Sequence, residues 1–175
     1  MSAGAANGRT LRPLVIAAAL SALLVAVPYR AFAGRPAFLA PDADNSAAFA
    51  RDPNARQPDG STALQWAVYE GNLREVQRLL HAGADVQASN NYGATALQLA
   101  AEAGDPAILH ALLKAGANPN SASSEGQTAL MVVARTGNLE NAKELLRAGA
   151  DANARESWGG QTALMWAAAA QQPAM

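Results

Sequence analysis

The stretch Thr95-Ala-Leu-Gln-Leu-Ala-Ala-Glu-Ala-Gly104, completed by Leu112-Leu-Lys-Ala-Gly-Ala-Asn118, decides the reading of this chain. It has a near copy on each side. Thr-Ala-Leu opens at Thr62, Thr95 and Thr128 in steps of 33 residues, and again at Thr162 after 34. Leu-Leu-x-Ala-Gly-Ala, followed by an acid or its amide, ends at Asp85, Asn118 and Asp151, also 33 apart. Two signatures keeping step over more than half of the chain mark a solenoid of stacked units.

Local chemistry says what one unit is. Each Thr precedes a short apolar run, where its hydroxyl can cap a helix N-terminus. Gln65 and Gln98 stand three residues after Thr62 and Thr95, a capping-box spacing. Gly71, Gly104 and Gly137 break this first helix, and Asn72, Asp105 and Asn138 cap a second. Pro106 suits the first helical position, where its missing N–H costs nothing. Leu73, Val76, Leu79 and Leu80 fall at helical spacing, as do Leu109, Leu112 and Leu113, then Leu139, Leu145 and Leu146. His81, Lys114 and Arg147 place cations in the last turn. Gly83, Gly116 and Gly149 follow where a left-handed residue is wanted. A polar loop with a glycine (Gly60, Gly93, Gly126 or Gly160) precedes each unit's first helix. One helix pair cannot bury its own apolar face, but stacked neighbours can.

With these residues in place the chain resembles the ankyrin repeat family. The matching positions are Gly93 and Thr95, Leu97, Ala100-Ala101, Gly104, Leu112-Leu113 and Gly116-Ala117. The resemblance implies an all-α solenoid of helix-turn-helix units joined by hairpin-like loops, spanning 52–175 with three full repeats and a partial fourth. The chain departs from the family's Thr-Pro-Leu-His. Ala63, Ala96, Ala129 and Ala163 replace the Pro, and Gln65, Gln98, Met131 and Met165 replace the His. Weaker coupling between repeats is expected from the loss of that His. The fourth unit carries Leu164-Met165-Trp166-Ala167, but its second helix would start near Gln172. The array is expected to be a piece of a longer one, or else to meet another molecule at an open Ala-rich face.

Composition narrows the function. Half of the 175 residues are apolar, there is no Cys, and the net charge is −1. Disulfides and thiolate metal sites are excluded, and the basic stripe of a nucleic-acid binder is missing. Residues 1–33 stand apart. Arg9 and Arg12 precede an uncharged run from Leu14 to Val27, and Ala31-Phe32-Ala33 ends it. This is the layout of a secretory signal peptide cleaved after Ala33, and it implies a periplasmic or secreted protein. The run is short for a spanning helix of about 20 residues, so an uncleaved inner-membrane anchor is the lesser alternative. Cleavage removes Arg9, Arg12 and Arg30 and no acid, leaving 10 basic and 14 acidic residues and a net charge of −4. That disfavours nucleic acid and anionic lipid as partners. Residues 34–51 read as linker, with Ala47-Ala48-Phe49-Ala50 as an N-terminal capping turn.

No catalytic, cofactor or metal site is expected. The histidines are His81 and His110, too few ligands for a stable metal site. His81 reads as a helix cap and His110 as solvated, with the two near each other by register. No Gly-x-Ser-x-Gly elbow or Gly-Lys-Ser/Thr loop occurs. Glu140, Asn141 and Glu144 read as a solvated helix face. Trp66 and Trp166 share an in-register, packing position, whereas Trp158 lies in a loop beside Gly159-Gly160.

What remains is a surface. The resemblance implies that a partner protein docks on the loop tips and the exposed part of the first helices. Carried onto this chain, that face holds Asp59, Tyr69, Glu70, Asn91, Tyr92, Glu102, Glu125, Arg135, Trp158 and Gln161. Two readings follow. The first is an exported, non-enzymatic scaffold that binds another protein on its concave face. The second is a membrane-tethered module that assembles with copies of itself through the open C-terminal end.

Overall fold

The computed structural model describes residues 52–170. The leader, the linker and capping turn, and a second helix near Gln172 all lie outside them. The chain divides into units Met1–Ala40 and Pro41–Met175, and the described residues belong to the second.

Seven helices occur among the described residues: α1 (Ala63–Tyr69), α2 (Leu73–His81), α3 (Ala96–Ala103), α4 (Pro106–Lys114), α5 (Ala129–Thr136), α6 (Leu139–Arg147) and α7 (Ala163–Ala169). They start where the sequence places caps. The hydroxyls of Thr62, Thr95 and Thr128 accept from the backbone N–H three residues on, and Gln65 and Gln98 complete capping boxes. Asn72, Asp105 and Asn138 cap the second helices. Thr162 departs from the pattern and makes no side-chain cap bond. Short antiparallel bridges at Arg56–Thr62, Ser89–Thr95 and Ala122–Thr128 close the preceding loops into hairpins.

Helices α1, α3, α5 and α7 pack side by side in one layer, and α2, α4 and α6 in a second. The core lies between the layers and between successive repeats. Leu64, Val68, Val76, Leu79, Leu97, Ile108, Leu109, Leu112, Val133 and Leu145 are all fully enclosed there. Each such Leu contributes about 1.5–3 kcal/mol relative to exposure, so burial between neighbours is the main force holding the stack.

The second helices bury a narrower stripe than their apolar spacing implies. Positions four and seven of each helix turn inward, joined by position three on α4 and α6, as Ile108, Leu109 and Leu112 show on α4. Positions one and eight lie about 100° round the helix from the centre of that stripe. Leu73 and Leu80 are therefore only half-buried, and Leu139 and Leu146 are exposed. Asn141 corrects the reading of a solvated face. It occupies the inward third position of α6, is fully buried, and neither its Oδ1 nor its Nδ2 has a hydrogen-bond partner. That arrangement costs about 1–3 kcal/mol of desolvation.

The expectation of weak coupling is also corrected at two junctions. The Gln65 amide donates to the carbonyls of Ala88 (3.2 Å) and Ala94 (2.8 Å) in the next hairpin. Gln98 donates in the same way to Ser121 (3.3 Å) and Gln127 (2.7 Å). Each glutamine caps its own helix with its oxygen and ties the next repeat with its nitrogen. Met131 has no such donor, so the junction to the fourth repeat lacks this link.

A second ladder runs through the turns after the second helices. The amides of Asn54, Gln87 and Asn120 donate to the carbonyls of Gly83 (3.3 Å), Gly116 (2.7 Å) and Gly149 (3.0 Å) one repeat on. Their amide oxygens accept from the N–H groups of Asp85, Asn118 and Asp151 (2.7, 3.2 and 2.7 Å).

Gln98→Met reproduces the third repeat's chemistry in the second: both amide donations are lost, and the Gln127 carbonyl keeps only the Ser123 N–H. Urea denaturation followed by circular dichroism is expected to show a loss of about 1–3 kcal/mol, with helix content unchanged.

Candidate interaction face

The hairpin tips form one continuous edge because each rests on the next. The Asn91 N–H donates to the Asp59 carbonyl (3.0 Å), and the Asn91 side-chain amide to the Pro58 carbonyl (3.1 Å). The Ser124 hydroxyl donates to the Tyr92 carbonyl (3.0 Å), and the Ser157 N–H to the Glu125 carbonyl (2.9 Å). The approach is close enough to demand glycine. A Cβ on Gly93, whose φ is +76°, would stand 2.5 Å from the Ser124 nitrogen.

This edge and the C-terminal ends of the first helices carry all ten residues that the sequence assigns to a binding face. Asp59, Asn91, Glu102, Glu125 and Arg135 hold side-chain bonds within the stack. Asp59 accepts from the Ser61 N–H and hydroxyl, both at 2.9 Å. Asn91 links two hairpins as described. Glu125 accepts from the Gln127 amide at 2.9 Å. Glu102 and Arg135 form an ion pair at 2.6 Å, across the junction of the second and third repeats. The other five present exposed side chains. Tyr92 and Trp158 are each 63% exposed at hairpin tips. Tyr69 is exposed at the end of α1, edge-on to Trp66 with ring centroids 5.7 Å apart. Glu70 and Gln161 are exposed beside them.

The residue that holds Trp158 in place was not singled out in the sequence. The fourth hairpin is one residue longer, and the Glu156 carboxylate fills it. It accepts from the N–H groups of Trp158 (2.6 Å), Gly159 (2.9 Å) and Gln161 (2.8 Å). Burial raises the carboxyl's pKa, but these three donations outweigh it and leave the group below its ordinary 4.5. The signal was an acid opening an over-long loop that ends in Gly-Gly. Its consequence is an indole presented on an ordered loop, which reduces the entropy lost when a partner binds.

The opposite face, formed by the second helices, holds the histidines. His110 is not simply solvated: its Nδ1 meets the Glu144 carboxylate of the next repeat. His81 Nδ1 bonds the Gln77 carbonyl of its own helix at 2.6 Å. Both line a shallow groove with Leu73, Leu80, Pro106 and Ala111. Among the described residues no three His, Asp or Glu side chains cluster as metal ligands. Nor is any described helix long and apolar enough to cross a membrane.

A family model for ankyrin repeats, in three copies, matches residues 39–123 and 103–175, which together span well over half of the chain. No curated protein gives a significant match.

Because the folded Glu156 carboxyl lies below the unfolded value, its contribution is complete above pH 4.5 and is lost as pH falls through the folded value. The amide resonances of Trp158 and Gly159 are expected to titrate together with a midpoint below 4.5. In Glu156→Gln that shared titration should vanish.

Proposed function

The chain belongs to the ankyrin repeat family, whose repeats mediate protein–protein interaction, and from that premise we propose an exported, non-enzymatic scaffold that binds a partner protein on its hairpin-tip and first-helix face. The observation that carries the choice of face is the pair of exposed aromatics, Tyr92 and Trp158, on hairpins that are each hydrogen-bonded to the hairpin between them. Trp and Tyr are enriched among the residues that dominate binding energy, and here they ride on a rigid support. Tyr69, Glu70 and Gln161 add amphipathic and polar contacts beside them. Asp59, Asn91, Glu102, Glu125 and Arg135 act chiefly by holding that support in shape. Export rests on Arg9, Arg12, the run Leu14 to Val27, and Ala31-Phe32-Ala33.

In a pull-down from an exported fraction, Tyr92→Ala/Trp158→Ala is expected to reduce partner recovery by about tenfold or more, the effect of losing anchor residues. Unchanged recovery would place binding on another face. N-terminal sequencing of the exported protein is expected to begin at Gly34; a start at Met1 or Ser2 would show that the leader is retained.

A further inference from the structure

The second-helix face differs from the rest of the stack in charge. Helices α2, α4 and α6 carry five Lys and Arg against three acids, whereas the other described residues carry three against nine. Two of the three acids are already engaged. Glu75 pairs with Arg78 at 2.6 Å, and Glu144 meets the His110 Nδ1. Arg74, Lys114, Lys143 and Arg147 have no carboxylate partner among the described residues, and on these helices Glu140 is the acid left over.

The same face carries apolar surface that the core does not use. The groove between α2 and α4 has a volume of about 740 Å³. Leu73 and Leu80 line it from one side, and Pro106, Ala107 and Ala111 from the other. Ala107 is exposed and the other four are half-buried. Both walls are described helices, and Glu140 and Glu144 of the third repeat also line the groove, so it lies within the stack and not at an end of it. Its two ends differ in sign. The last turns of α2 and α4 bring exposed His81 and Lys114, and Lys114 is shared with the next groove, where Arg147 stands. The first turn of α6 brings Glu140. Walls of nine residues are about 13 Å long at 1.5 Å per residue. A partner helix of two to three turns spans that length, with apolar residues at i, i+3 or i+4, and i+7 entering the groove.

We propose that this groove docks an amphipathic helix of a partner protein that carries acids in its first turn and runs antiparallel to α2 and α4. Its apolar stripe covers Leu73, Leu80 and Ala111, and its acids meet Lys114. Acids suit the N-terminus of their own helix, and antiparallel helices oppose their dipoles, so orientation and charge agree. The unpaired cations around the groove attract such a helix, which the acidic remainder of the stack repels. An anionic bilayer is the poorer fit, because a flat surface does not enter a groove and Glu140 repels it. This site is separate from the hairpin-tip face and does not rest on it.

The test is fluorescence anisotropy with labelled peptides of about three helical turns added to the full chain. One peptide carries Leu at i, i+3 and i+7 with Glu in its first turn, and the control carries Lys in place of Glu. The acidic peptide is expected to bind with a Kd below about 100 μM, and the control about tenfold or more weaker. Lys114→Glu changes an exposed side chain and is expected to weaken the acidic peptide by about tenfold and to strengthen the Lys peptide, a reversal that misfolding would not produce. Tyr92→Ala/Trp158→Ala is expected to bind the acidic peptide as the wild type does. Absence of saturable binding, or equal binding of the two peptides, would overturn the proposal. So would binding indifferent to Lys114→Glu, or binding lost in the Tyr92/Trp158 variant, which would place the peptide on the hairpin tips. Binding of phosphatidylglycerol vesicles that depends on Lys114, with no binding of the acidic peptide, would overturn it in favour of a membrane.

Discussion

No single helix pair in this protein can bury its own apolar side, and the rest of the structure answers to that constraint. Leu112 and Ile108 on α4 reach zero exposure because neighbouring helices close over them. A unit cut from the stack would return such residues to water at about 1.5–3 kcal/mol each. Cohesion therefore passes from neighbour to neighbour, and every other feature either keeps the neighbours in register or uses the surface that stacking leaves outside.

Register is set by directed bonds that are individually worth about 1 kcal/mol. Gln65 and Gln98 show the economy of the arrangement, since one amide caps a helix and fastens the next hairpin. The amide series at Asn54, Gln87 and Asn120 does the same for the turns on the other side of each repeat. These links are not uniform along the stack. The second junction adds the Glu102–Arg135 and His110–Glu144 pairs, whereas the third has Met131 in place of a donor. Asn141, unbonded in the core of the third repeat, is a further departure at this end. The same end carries Trp158, whose loop is held by the Glu156 anchor and by the Ser157 N–H on the Glu125 carbonyl.

Much of the fold was legible in the sequence because its determinants are local. A cap needs one side chain and the backbone three residues away, so Thr95, Asp105 and Asn138 announced their helices. The loop glycines were visible for a related reason: only glycine tolerates the positive φ at Gly93. The second role of Gln98 was not visible, because its partners lie 23 and 29 residues away. Asn141 misled for the opposite reason. An amide between Glu140 and Ala142 reads as polar surface until the helix is rotated against its neighbours. The candidate face was legible as a set of positions, but nothing in residue type separates exposed Tyr92 from Glu102, which is committed to Arg135.

The sequence by itself determined the two helices of each repeat, their caps and breaks, and the apolar sides that require stacking, since each follows from residues within a few positions of one another, and it determined the period because those local signatures recur 33 residues apart. Only the tertiary structure decided which polar side chains are spent on holding repeats together, which leucines stay exposed, and that Glu156 fixes the loop of Trp158. Those outcomes depend on distances between segments a full repeat apart, and such distances exist only once the apolar sides have met.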